Sequence, residues 1–177
     1  MAKSLAQAGA KVAVMDLSPD AAKRVADEIN KAGGTAMPVK CNVLDKKQIE
    51  EAAKEIIAAF GKVDILINGA GGNKKDATTS DAMTFFDLPA EAIRGVFDLN
   101  FLGTLLPSQV FGKDMAKNGS GVILNVSSMN AFRPLKRVSE GCFVNDLLMV
   151  KDGYISEGTL FYYPPSLQSK GHCRKHS

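Results

Sequence analysis

The feature that most constrains this chain is a regular alternation of short apolar runs with apolar stripes at helical spacing. "KVAVMD" (Lys11 to Asp16), "TAMPVKCNV" (Thr35 to Val43), "VDILING" (Val63 to Gly69) and "GVILNVSS" (Gly121 to Ser128) have strand length. Between the first two, Ala22, Val25, Ala26 and Ile29 recur at i, i+3, i+4 and i+7. Between the second and third, Ile49, Ala52, Ala53, Ile56 and Phe60 form a second stripe, and a long helical stretch from about Pro89 to Lys117 precedes the fourth run. The punctuation agrees with this reading. Gly9 closes a helix over Ala2 to Ala8, Ser18 with Pro19 opens the next, Gly33-Gly34 ends it, and Asp45 with Gln48 three residues on forms a cap. Continuous apolar runs are buried on both faces in parallel sheets, so the alternation predicts a doubly wound α/β domain.

Composition narrows the functional classes. The 177 residues are 45% hydrophobic, enough for one globular core, and the net charge of +3 sits mostly in the final "SKGHCRKHS", too little for a nucleic-acid footprint. No run of 18 apolar residues occurs and the first residues lack a secretory layout, so a cytoplasmic protein with no membrane partner is expected. Three cysteines, Cys41, Cys142 and Cys173, are an odd count without close pairing, which fits a reducing compartment. His172, Cys173 and His176 cluster but fall short of a four-ligand zinc site, so no metal is expected and the segment reads as a solvated tail.

In such sheets ligands gather beyond the carboxyl ends of the strands. Asp16 ends the first run, where a carboxylate can accept both hydroxyls of an adenosine ribose and repel a 2′-phosphate; that favours NAD over NADP. It can equally be a turn carboxylate before the Ser18 cap. Asn42 and Val43 end the second run, where an amide and an apolar side chain can hold adenine. "NGAGG", Asn68 to Gly72, has three glycines in four positions, which lets backbone approach a flat ligand; a tight loop is the other reading.

Together, "AGAKVAVMD", "CNVLD", "VDILINGAGG", "FDLNFLGT" and "GVILNVSS", in this order and spacing, resemble the short-chain dehydrogenase/reductase family. "GGNKKDATT", "FFDLP" and "SSMNAFRPL" look most like its branch of fructuronate reductases and D-mannonate oxidoreductases. The resemblance covers Met1 to about Val138. It implies a Rossmann-type sheet and NAD(P)-dependent interconversion of a ketone and a secondary alcohol, on a small-molecule sugar acid. By the same resemblance Asp16 binds the ribose, and Asn42 and Val43 flank adenine, with Asn42 in place of the more usual aspartate. Asn68, Gly69, Ala70 and Gly71 form the loop meeting the cofactor. Asn100 resembles the catalytic asparagine that holds a water in the proton relay; a polar residue on an exposed turn is its alternative. Ser128, rather than Ser127, resembles the serine that hydrogen-bonds the substrate oxygen. Arg133 and Lys136 either pair with the substrate carboxylate or are loop charges facing solvent. By the same resemblance, full-length members commonly form homo-oligomers through the long helix and a later helix that these residues lack, which leaves the state of this chain open.

The family's proton donor is a tyrosine followed four residues on by lysine, and its usual spacing falls on Gly141 and Asn145. Tyr154, Tyr162 and Tyr163 are followed at that distance by Gly158, Ser166 and Leu167, so no Tyr-x-x-x-Lys pattern occurs in these residues. Residues 139–177 resemble nothing in the family, as a shifted reading frame, a foreign splice or a divergent end would produce. The expected organisation is therefore a partial Rossmann domain over 1–138 and an unmatched tail over 139–177. Met1 already lies in the first helix, so the first strand with its glycine-rich turn and the last strands are expected to be missing from the sheet. "KVAVMD" and "VDILING" must then pair directly or leave edges open. A non-catalytic nucleotide-binding module or an inactive fragment is the alternative function.

Overall fold

The computed structural model describes residues 1–127, 147–151 and 154–158. Helix α1 (Ala2–Gln7) leads through Gly9, at φ 93°, into β1 (Lys11–Asp16). Helix α2 (Pro19–Lys31) follows, then β2 (Thr35–Lys40), α3 (Lys46–Phe60) and β3 (Ile65–Asn68). Short 3-10 turns at Lys75–Ala77 and Phe85–Asp87 lead to α4 (Ala90–Phe97) and α5 (Gly103–Lys117), then β4 (Ser120–Asn125). The expected doubly wound α/β arrangement of parallel strands and flanking helices is present.

Local chemistry explains these boundaries. Ser18 accepts from the Ala21 amide at 3.4 Å with Pro19 at the first helical position, so α2 starts where an orphan amide finds an oxygen. Its Ala22, Ala26 and Ile29 are buried, as the stripe requires. Asp45 caps α3 by accepting from the amides of Lys47 at 3.0 Å and Gln48 at 3.3 Å. Ile49, Ala52, Ala53 and Ile56 on α3 are all buried and join Val39, Cys41, Leu66, Phe111, Met115 and Ile123 in the main core. Burying each of the larger apolar side chains stabilises by about 1.5–3 kcal/mol.

The long helix is not continuous. Between α4 and α5 the backbone makes a π-helical turn over Asp98–Leu102. Three side chains one turn apart bond back to carbonyls: Asn100 Nδ2 to Val96 O at 2.8 Å, Thr104 Oγ1 to Asn100 O at 3.0 Å, and Ser108 Oγ to Thr104 O at 2.7 Å. Such back-bonds compete with the regular ladder and bend helices. Pro107, which has no N–H, lies in the same stretch. The π-turn keeps the chain helical between α4 and α5, so the segment reads as one helix from sequence.

The sheet is divided. β1 pairs in parallel with β2 alone, and β3 in parallel with β4, so the described strands form two hydrogen-bonded groups. Among the described residues "KVAVMD" and "VDILING" do not pair directly. In the second group β5 (Leu147–Lys151) and β6 (Tyr154–Gly158) continue antiparallel from β4. No strand is expected there from the sequence, which reads residues 139–177 as an unmatched tail. No helix among the described residues is long and apolar enough to cross a membrane.

Candidate functional site

The candidate site lies beyond the carboxyl ends of β1, β2 and β3. Asp16 closes β1 and is exposed; its Oδ1 accepts from the Ser18 amide at 2.8 Å, as the turn reading requires, and among the described residues its Oδ2 takes no hydrogen bond. The exposed residue thus holds its turn with one carboxylate oxygen.

Asn42, past the end of β2, is half-buried and committed to its own turn. Its amide donates to Gln48 Oε1 and its Oδ1 accepts from Leu44 N, both at 3.0 Å. Gln48 in turn donates from Nε2 to Asp45 Oδ2 at 2.9 Å. The Gln48 amide, its side chain second, holds the Asp45 carboxyl below the usual carboxylate range. Val43 leans on α5: a Cβ on Gly103 would lie 3.2 Å from its Cγ2. Burial pushes the neighbouring Cys41 thiol up, which suits a core residue better than a reactive one.

The loop after β3 is the most tightly organised part. Asn68 is buried and donates through Nδ2 to Ser108 Oγ at 2.9 Å and Asn125 Oδ1 at 2.8 Å. One side chain thereby ties the tips of β3 and β4 to α5. Gly69, Ala70, Gly71 and Gly72 follow, all exposed. Asn100 clamps this loop: its Oδ1 accepts from Gly72 N at 3.1 Å, and its Nδ2 donates to Gly72 O at 2.9 Å. A Cβ at Gly71 would sit 2.7 Å from Asn100 Oδ1, so only glycine admits the clamp. Farther along, Ala77 packs with Ala92 and Val96, pinning the 75–77 turn to α4.

The expected residues therefore fall into three groups. Asn68, Gly69, Ala70 and Gly71 are consecutive in the loop after β3, and Asn100 comes against its far end at Gly71 and Gly72. Asp16, Asn42 and Val43 stand at neighbouring strand ends. Ser128, Arg133 and Lys136 lie outside the described residues, as do Cys142 and the His172–Cys173–His176 cluster; Ser127 is exposed just past β4. Sequence reasoning missed Ser108 and Asn125. Ser108 was within reach of a pattern argument, because Asn100, Thr104 and Ser108 make a polar line at i, i+4 and i+8 along an otherwise apolar helix.

Comparison with known proteins converges on one family. Residues 1–140 match the short chain dehydrogenase family pattern. An uncharacterized oxidoreductase of Haemophilus influenzae is 48% identical over 148 residues, 78% of this chain and 52% of that protein. The Bacillus subtilis uncharacterized oxidoreductase UxuB is 43% identical, with the same coverage. Among solved structures, a Haemophilus influenza protein provisionally named a D-mannonate oxidoreductase, with bound NAD, superposes at a TM-score of 0.72 and 49% identity, covering 77% of this chain and 52% of the other. A 7α-hydroxysteroid dehydrogenase complexed with NADH and 7-oxo glycochenodeoxycholic acid gives 0.67 at 37% identity, covering 76% of this chain and 49% of the other. The chain spans about half the length of the curated relatives it matches. With the parallel strands, the glycine loop after β3 and the asparagine clamp all in the matched region, the chain belongs to the short chain dehydrogenase family.

Proposed function

We propose that the protein is an NAD-using oxidoreductase interconverting a ketone and a secondary alcohol on a sugar acid of the D-mannonate or fructuronate kind, and that these residues carry its adenosine-binding edge. The observation that carries the reading is Asp16, exposed at the end of β1 with one carboxylate oxygen committed to its own turn, next to the end of β2 where Asn42 and Val43 follow. A carboxylate there accepts from vicinal ribose hydroxyls and repels a 2′-phosphate. The helix starts at Ser18 and Asp45 are filled by their own caps, so the described residues fit the adenosine half of a dinucleotide better than its pyrophosphate. When bound, the cofactor supplies or takes up hydride at its nicotinamide. Asn100 contributes by fixing the loop backbone, and Ser128, Arg133 and Lys136 are proposed for the substrate oxygen and carboxylate.

Calorimetric titration tests this. NAD is expected to bind more tightly than NADP, and Asp16→Ala to weaken NAD about tenfold, the worth of one charge-assisted hydrogen bond. Equal affinity for NAD and NADP removes the ribose assignment. A second reading, binding without turnover, is favoured by the absence of any Tyr-x-x-x-Lys pattern in the 177 residues; it expects constant NADH absorbance with a keto-sugar acid present. The odd count of three cysteines supports a cytoplasmic location.

Pairing of two copies is part of the same proposal. Ile93, Phe97, Phe101 and Leu105 recur every fourth residue along α4 and α5, each more than a third exposed, with the two rings stacked at 5.3 Å. Sedimentation of Phe101→Ser reads this: a shift toward monomer supports the stripe as the contact, and an unchanged dimer rejects it.

A further inference from the structure

Lys74 is a cation that the fold holds in place just after the glycine loop. Two anchors fix its backbone. Asn100 grips Gly72 through both its N–H and its carbonyl, and Lys74 O accepts from Ala77 N at 3.1 Å and from Thr78 Oγ1 at 2.8 Å. Ala77 is itself buried with Ala92 and Val96 of α4. The side chain is held as well. A Cβ on Gly95 of α4 would lie 2.5 Å from Lys74 Nζ, 3.5 Å from Cε and 4.0 Å from Cδ, so the stem lies along helix backbone that a glycine leaves bare.

Lys74 stands in the loop beyond the carboxyl end of β3, the end at which open α/β sheets take their ligands. Asn100 Nδ2 donates to Val96 O, and Val96 is the residue next to Gly95. Consecutive Cα atoms are about 3.8 Å apart, so the ammonium and the Asn100 amide meet neighbouring points of α4. Among the described residues Lys74 makes no ion pair, whereas Lys3, Lys23, Lys62 and Arg94 each have a carboxylate. A lysine ordered beforehand offers its charge at little further entropy cost. Its compact ammonium suits a carboxylate oxygen.

We propose that Lys74, seated on Gly95, is a substrate-binding residue that takes the substrate's carboxylate, here that of the sugar acid. The inference rests on the sugar-acid reading above and adds to it a cation from the β3 loop, beside Arg133 and Lys136, which the same reading gives to that carboxylate. Selectivity follows from charge. The acid is bound, and the polyol of the same carbon chain is passed over. Gly95 is part of the arrangement, since any side chain there pushes the ammonium away.

The test titrates the full chain with D-mannonate and follows backbone amide shifts, with NADH present so that cofactor and alcohol cannot react. Saturable shifts at Gly72, Lys74 and Gly95 are expected, with none from D-mannitol. Lys74→Met is expected to weaken D-mannonate about tenfold, the worth of one charge-assisted hydrogen bond, and Lys54→Met on α3 to leave it unchanged. Gly95→Ala is expected to weaken it while raising the melting temperature, because alanine suits a helix better than glycine. A merely structural contact would not lose affinity as stability rises. Equal affinity in wild type and Lys74→Met, no binding by wild type, an equal loss in Lys54→Met, unchanged affinity in Gly95→Ala, or a loss of NADH rather than D-mannonate in Lys74→Met each overturn the proposal. Hexanoate bound as tightly as D-mannonate, and lost with it in Lys74→Met, keeps Lys74 as the carboxylate site and removes the sugar-acid reading instead.

Discussion

Two loops at the carboxyl ends of strands are held in opposite ways. The turn after β2 is built from neighbours: Asn42, Asp45 and Gln48 exchange hydrogen bonds within six residues of sequence, and the stripe of α3 follows directly. The loop after β3 is held from far away. Asn68 reaches Ser108 and Asn125, 40 and 57 residues on, and Asn100 reaches back 28 residues to Gly72. The first turn needs only a short piece of chain to exist. The second exists only once α5 and β4 have docked, and its precision depends on that docking.

Removing the most remote tie is expected to have the largest effect. Asn68→Ala leaves Asn125 Oδ1 and the Ser108 hydroxyl without a shared donor in a buried place, a loss of about 1–3 kcal/mol. Urea denaturation measures it. A loss well under half a kcal/mol would show that the network is not what orders the loop, and the contrast between the two loops would collapse.

Gly71→Ala sharpens the contrast with a smaller change. Its methyl meets Asn100 Oδ1, so the clamp must shift, with a cost of about 1 kcal/mol at the low end of overpacking. Exchange of the Gly72 amide is expected to speed up while that of the Asp45 turn stays as before. Faster exchange in both loops would mean that they form one unit.

The smallest effect belongs to the local turn. The Asp45 carboxyl is held below its ordinary value, first by the Gln48 amide and then by the Gln48 side chain. A carboxylate lowered in the folded state stabilises fully above its unfolded pKa, and the contribution fades as pH falls from the ordinary carboxylate range through the lower folded value. Wild type is therefore expected to lose stability over that acid window, and Asp45→Asn to lose less of it. Parallel decline of both proteins' melting temperatures would assign the acid sensitivity elsewhere.

How far the site was legible follows the same division. Ser18, Asp45 and the apolar faces of α2 and α3 were readable because caps and stripes are short-range patterns whose physics is complete within one turn or one helix. "NGAGG" was readable as a place where backbone must come close. What it comes close to was not: the partner of Gly71 is Asn100, and no periodicity links positions 29 residues apart. Asn100 itself was legible as special through "FDLNFLGT", while its bonds to Val96 and Gly72 required coordinates. The π-turn stayed hidden for a related reason. Side chains of Asn100, Thr104 and Ser108 take over helix carbonyls, and apolar spacing does not register that competition.

By itself the sequence determined the order of strands and helices, their caps, the apolar faces they bury and the family to which the chain belongs. These depend on side-chain chemistry within a few residues, and on a joint pattern of short motifs. Tertiary structure alone decided that, among the described residues, β1 pairs with β2 and β3 with β4. It also decided that Asn68 knots three elements together and that Asn100 grips the glycine loop. Each is a contact between distant segments, set by how helices pack across the sheet and by which buried polar groups must find one another there.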